Sequence, residues 1–148
     1  MFRRNAAFFS FLVAGLVMPL QAETKAEAEA MVKKAIVFAK AQGKDKALAE
    51  ISNPGGSFTK GALYVFVYDL QGKVKAHGQN PKLVDKDMLE AKDPDGVFYV
   101  KEHIALVKAK GKGWQDYKFN NSTNNKIEAK TAYVELYEDL IFGCGVYK

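Results

Sequence analysis

The sequence predicts an α+β fold: a five-stranded antiparallel sheet with a long N-terminal helix and a helical insert between strands 2 and 3. Three observations predict it. Residues 23–42 contain neither Gly nor Pro and are rich in Ala, Glu and Lys, all good helix formers. Residues 61–78, GALYVFVYDLQGKVKAHG, read as two strands around a turn. From residue 113 onward, three further runs of strand character are separated by polar turn clusters.

The chain has 148 residues, enough for one domain with a core that needs no covalent staples. Its first residues resemble an export signal. Arg3 and Arg4 precede an apolar run, residues 6–20, that ends near Pro19 and the small residue Ala22. We therefore expect residues 1–22 to be a cleaved signal peptide and residues 23–148 to be a single domain, periplasmic or secreted. Cleavage after Ala22 removes two arginines and no acid, which lowers the formal net charge from +5 to +3. That excess is spread over single lysines and makes no nucleic-acid footprint. Cys144 is the only cysteine, so no intramolecular disulfide forms and stability rests on packing.

Within residues 23–42, Thr24 is a candidate N-cap with Glu27 at capping-box spacing, and Ala28, Met31, Val32, Ala35, Ile36 and Ala39 form one apolar stripe. Gly43 ends or bends this helix, and Lys44–Ile51 is a shorter second one. A loop, SNPGGS at 52–57, leads into the first strand. There Leu63, Val65 and Val67 occupy one face and Tyr64, Phe66 and Tyr68 the other. Neither face is polar, so the strand requires cover on both sides and an interior place in the sheet. Asp69-Leu70-Gln71-Gly72 supplies the turn, and residues 73–77 run back to His77.

Asn80-Pro81 opens the insert, with a short helix expected at 85–89, a turn at Asp93-Pro94-Asp95-Gly96 and a helix over 97–110 stopped by Gly111. Residues 113–119 alternate Trp114, Asp116 and Lys118 with Gln115, Tyr117 and Phe119. NNSTNNK at 120–126 turns the chain into residues 127–137, and Leu140–Tyr147 follows as an antiparallel partner. Gly143 and Gly145 share a face there with Ile141 and Tyr147, so something packs close against the backbone, a helix or a ligand. This order describes a PAS-like sheet, with the N-terminal helix on one face and the insert on the other.

Catalytic motifs are missing from the sequence. It has no nucleophile elbow, phosphate loop or metalloprotease helix, and Cys144 between two glycines reads as buried and inert. His77 and His103, the two histidines, are too few for a zinc or haem site, and no cofactor is implied. Asp93 and Asp95 read as turn formers. Binding is better supported: a small anion in an apolar pocket needs one cation and a few oriented donors. Tyr64, His77, Trp114, Tyr117, Lys130 and Tyr133 gather at strand ends and along aromatic faces. Each also has a structural reading, as core tyrosine or tryptophan, backbone-capping histidine or surface lysine. Their clustering is what favours a site.

Several segments together resemble one family. YVFVYDLQGKVKAHGQNPKLV, DPDG, KGKGWQDYKF and YVELYEDLIFGCGVYK, with the helical AEAEAMVKKA before them, are similar to the single Cache domain of the second type. The resemblance covers essentially all of residues 23–148. It implies an extracytoplasmic sensor domain that binds small organic acids or other metabolites beneath the insert, at the six residues above. Two departures stand out: NNSTNNK lacks the proline of an N-P-x-T loop, and Asp85 occupies a position where such domains often have Gly. The expected ligand is a short monocarboxylate, held by Lys130 and His77 and framed by Tyr and Trp, with His77 lending pH sensitivity. With no second membrane helix, kinase or methyl-accepting region following, a stand-alone sensory module is expected. The alternative is an interaction module with a vestigial pocket, docking a membrane-bound sensor, or forming a homodimer, along the N-terminal helix.

Overall fold

A computed structural model describes Gly15 and residues 23–148, so the expected signal peptide lies outside the described residues. Helix α1, Lys25–Gln42, begins where expected: the Thr24 hydroxyl accepts the Glu27 backbone N–H at 3.2 Å. Its buried stripe is Ala28, Val32, Ala35, Ile36 and Ala39. At Gly43 the backbone takes φ 91°, which a glycine adopts without steric cost, and α2, Lys44–Ile51, starts at once.

Six strands follow where five were expected. β1, Thr59–Lys60, is a two-residue addition at the edge. Next come β2, Leu63–Asp69, and β3, Val74–His77, then α3, Tyr99–Lys110, and finally β4, Lys112–Asn121, β5, Lys126–Tyr137, and β6, Leu140–Tyr147. All pairings are antiparallel, in the order β1-β2-β6-β5-β4, with β3 also on β2. β2 is interior and buried along Leu63–Tyr68, as its two apolar faces require.

Strand alternation sorts the core into two layers. Leu63, Val65, Val67, Tyr133, Phe142 and Cys144 pack under α1 and α2. Tyr64, Phe66, Tyr68, Tyr117, Ala132, Val134 and Ile141 pack under α3, against Val100, Ile104 and Val107. The PAS-like α+β arrangement therefore stands, with a helical layer on each face.

The insert differs from expectation. No helix forms at 85–89; a single 3-10 turn covers Pro81–Leu83 instead. Asp85 has φ 71°, which no α-helix accepts. The segment after it pairs with the β3 edge, with Asp85 N–H on the Val74 carbonyl (2.8 Å), Val74 N–H on that of Lys86 (2.9 Å) and Met88 N–H on that of Gly72 (2.9 Å). An unprotected edge is thereby covered. Asp93 pins the other end of the insert. Its carboxylate accepts the N–H groups of Asp95, Val97 and Lys118, each at 2.9 Å, joining the turn to β4. Desolvation opposes that carboxylate's ionisation, but the three N–H donors outweigh it and hold it below its ordinary range.

Candidate functional site

Lys130 lies near the start of β5, paired across to Tyr117 on β4 and Tyr147 on β6. Its side chain is 1% exposed and runs across β6 over Gly145, where a Cβ would stand 2.5 Å from its Cε. Gly143, one alternation further on, leaves the same kind of space for the Phe66 ring. The close approach expected at these glycines is thus made by side chains of the site itself.

The far end of Lys130 reaches β2. Its Nζ donates to the Tyr64 hydroxyl at 2.9 Å. Around it lie the rings of Tyr64 (4.4 Å to the centroid), Phe119 (5.1 Å), Tyr147 (5.2 Å), Phe66 (5.4 Å) and Tyr117 (5.8 Å). Cation–π attraction to these faces offsets part of the lost hydration. Among the described residues no carboxylate lies within ion-pair distance of Lys130, whereas Lys33, Lys44, Lys101, Lys118 and Lys148 at the surface each have at least one. Burial pushes the Lys130 pKa down to about 7. A buried ammonium without an acid is expensive, so Lys130 is the most costly charge among the described residues to leave uncompensated.

His77, 3% exposed, sits at the end of β3 with its ring 4.7 Å from that of Tyr64. Its Nδ1 accepts the backbone N–H groups of Asn80 (2.9 Å) and Gln79 (3.3 Å). The proton of the neutral ring therefore resides on Nε2, as a donor. Burial, with the Lys130 charge adding to it, pushes the His77 pKa down to about 3. The expectation that His77 confers pH sensitivity is corrected: it is a neutral donor throughout the physiological range, and the group that titrates near neutrality is Lys130.

Tyr64 and His77 form the inner wall of a cavity of about 220 Å³. Leu83, Met88 and Phe119 give it apolar sides, and Gln79, Asn80, Asn120 and Ser122 a polar rim. The Ser122 hydroxyl meets the Gln79 side chain across that rim. The volume falls below the range of drug-sized pockets and suits a molecule of a few heavy atoms. Tyr64 and Phe119 belong both to this cavity and to the Lys130 cluster. A larger groove of about 440 Å³ touches the other side of Tyr147, but Glu23 lines it and disfavours an anion there.

Four of the six residues singled out in the sequence thus come together: Tyr64, His77, Tyr117 and Lys130. Trp114 and Tyr133 do not join them. They are a cross-strand pair on the opposite face, rings 5.5 Å apart, packed against α1 with Lys25 Nζ 4.4 Å above the indole. The reason is strand parity. Tyr133 is three residues from Lys130 and Trp114 three from Tyr117, so each points the other way. Parity also marks Phe66, Phe119 and Tyr147, which sequence reasoning missed as site residues. Cys144 is fully buried on the α1 face, and burial raises its thiol to about 12, consistent with an inert residue.

Comparison with known proteins identifies the family. A family model described as Cache domain matches residues 29–148. Over 86 residues, 57% of this chain, the sequence is 35% identical to methyl-accepting chemotaxis protein McpP of Pseudomonas putida, and the match spans 16% of that receptor's length. A solved Cache chemosensory domain, described as showing the structural basis for carboxylic acid recognition, superposes with a TM-score of 0.70 at 31% identity. That likeness covers 82% of this chain and 91% of the other. A methyl-accepting chemotaxis protein from Vibrio parahaemolyticus shares the fold, with a TM-score of 0.74 at 23% identity over 83% of this chain and 87% of its own.

Proposed function

This chain belongs to the Cache domain family, and on that premise we propose that it is an extracytoplasmic sensory domain that captures a short monocarboxylate. The observation that carries the reading is the Lys130 ammonium, buried among five aromatic rings with a hydroxyl for a partner and, among the described residues, no carboxylate within ion-pair distance. A carboxylate entering beside Tyr64 and His77 supplies the missing charge. Lys130 Nζ and the Tyr64 hydroxyl bind its oxygens, and Nε2–H of His77 adds a neutral donor. Leu83, Met88 and Phe119 bound the apolar remainder, and the small cavity limits its length. Recognition of carboxylic acids by the related chemosensory domain supports the same ligand class.

Capture rather than turnover is the mechanism, since Cache domains are sensory and the site presents donors without a nucleophile and base in reach of each other. No helix among the described residues is long and apolar enough to cross a membrane. We place the domain in the periplasm, where ligand occupancy would be passed to a membrane-bound sensor.

The test is a thermal-shift and calorimetric screen of the protein against formate, acetate, propionate, butyrate, amino acids, amines and purines. A ligand at 100 times its Kd adds about 2.7 kcal/mol of stability. A selective shift with short carboxylates, lost in Lys130→Met, is the expected result. A shift with amines or purines that survives Lys130→Met would overturn the reading.

A further inference from the structure

The cavity walled by Tyr64 and His77 has a rim built from two separate segments. One follows β3 and contributes Gln79 and Asn80; the other is the end of β4 and the turn after it, which contribute Asn120 and Ser122. Tyr64 and His77 are each 3% exposed, so a ligand reaches them only by passing this rim. Among the described residues a single hydrogen bond joins the two segments, from the Ser122 hydroxyl to the side-chain carbonyl of Gln79. The same amide donates from Nε2 to the Gly61 carbonyl at 2.7 Å, which holds its oxygen towards Ser122.

Each segment is also tied to a residue of the site behind it. The N–H groups of Gln79 and Asn80 both end on Nδ1 of His77. Gly78 is wedged at the foot of that segment, where a Cβ would stand 2.7 Å from Thr59 Oγ1 and 3.0 Å from Tyr64 Cβ. On the other side Tyr147, whose ring lies beside the Lys130 ammonium, donates its hydroxyl to the Asn120 carbonyl at 2.9 Å. The Asn121 carboxamide closes the turn on itself by accepting the Thr123 N–H (3.1 Å) and hydroxyl (2.6 Å). Two anchored segments therefore meet through one bond, between a half-buried side chain and an exposed one. Such a bond is exchanged for water at little net cost, while several bonds hold each segment behind it. Opening then needs only the release of this bond and a parting of the rim, with the inner wall left in place.

We propose that Gln79 and Ser122 are the latch of a gate over this cavity, setting how fast a small ligand enters and leaves. The proposal rests on the reading above only in taking this cavity as the ligand's way in. The latch touches rim groups alone, so its loss should speed entry and exit alike. Lys130 supplies a reporter inside the gate: it is 1% exposed, and its Nζ bonds the hydroxyl of Tyr64, a residue of the cavity wall. With its pKa lowered to about 7 by burial, the amine is mostly unprotonated at pH 8 and nucleophilic toward any reagent admitted to it.

Potassium cyanate is the probe, a small reagent that adds to an unprotonated amine to give a urea, with no leaving group. Its reaction with Lys130 is followed at pH 8 by peptide mass spectrometry in the wild type, Gln79→Ala, Ser122→Ala and Ser122→Thr. Cys144, fully buried in the opposite layer of the core, reports global unfolding through its alkylation by iodoacetamide. Gln79→Ala and Ser122→Ala should each raise the Lys130 rate by roughly threefold or more, with the Cys144 rate unchanged. Ser122→Thr, which keeps the hydroxyl, should stay near the wild type. An unchanged Lys130 rate overturns the proposal, as does a rise matched by an equal rise at Cys144. A parallel series with saturating acetate, propionate or butyrate separates this proposal from the carboxylate reading. Protection of Lys130 by these acids, with no effect of the latch variants, removes the gate alone. A latch effect without protection by any of them removes the carboxylate reading and keeps the gate.

Discussion

The ammonium of Lys130 rests on the hydroxyl of Tyr64, 2.9 Å away, rather than on a carboxylate. The two residues are 66 positions apart in sequence and come from β5 and β2, with β6 between them. Only a glycine at 145 lets the lysine cross that intervening strand. On the proposed reading, the hydroxyl holds the cation in place until a carboxylate brings the opposite charge.

Replacing this lysine should separate stability from binding. At pH 6 the protonated amine is buried without a counter-charge, and an apolar side chain of similar length removes that penalty. Lys130→Met is expected to stabilise the unliganded protein by about 1–4 kcal/mol. That gain would raise Tm by several degrees for a domain of this size. The same variant should show no thermal shift with carboxylates. A variant that is destabilised and still binds would contradict the proposed site.

Removing the partner should do the opposite. Tyr64→Phe leaves the buried ammonium without its acceptor, and a loss of about 1–3 kcal/mol is expected at pH 6. In the Lys130→Met background the hydroxyl has no cation to hold, so most of that cost should vanish. A double-mutant cycle by chemical denaturation measures the coupling, and strict additivity would show that the two residues do not act as a unit.

Gly145 and Gly143 separate the site from the core on one strand face. An alanine at 145 places its Cβ 2.5 Å from Lys130 Cε and 3.1 Å from its Cγ, so the lysine must leave its track over β6. At 143 the same change meets the Phe66 ring at 2.3 Å. Both should cost about 1–3 kcal/mol by overpacking. Gly145→Ala should in addition weaken carboxylate binding at least tenfold. Gly143→Ala should weaken it less, since Lys130 is not displaced directly.

Much of this arrangement was legible in the sequence because strand alternation is a strong signal. The two faces of Leu63–Asp69, the capped first helix and the close approach at Gly143 and Gly145 all follow from residue spacing and size. Lys130, Tyr117, Tyr64 and His77 were recognisable as donors for the same reason. Counting parity from Lys130 along its strand would also have excluded Tyr133, and counting from Tyr117 would have excluded Trp114. What could not be read is what depends on tertiary contact. The positive φ of Asp85 and the pairing of its segment with the β3 edge overrode a weak local helix pattern. His103 falls on an apolar helix stripe, and that its ring nitrogens find no hydrogen-bond partner there is a matter of tertiary packing.

The pH dependence of binding distinguishes Lys130 from His77, the residue to which the sequence analysis assigned pH sensitivity. Lys130, ordinarily near 10.5, is lowered to about 7 by burial, whereas His77 is lowered to about 3. In the unliganded protein, then, the native state binds fewer protons at Lys130 than the unfolded state between about pH 7 and 10.5. Stability rises with pH across that window on this account, and the slope should disappear in Lys130→Met. A bound carboxylate needs the protonated amine and raises its pKa. Affinity should therefore be level from pH 5 to 6.5 and weaken by up to tenfold per unit above pH 7.5. At pH 8 binding should take up close to one proton per ligand, seen as a calorimetric enthalpy that changes with the ionisation heat of the buffer. At pH 5.5 that dependence should be absent. His77→Gln should weaken binding at every pH by removing a donor and leave the midpoint of the profile in place. A midpoint that moves in His77→Gln would return the titration to the histidine and remove it from Lys130.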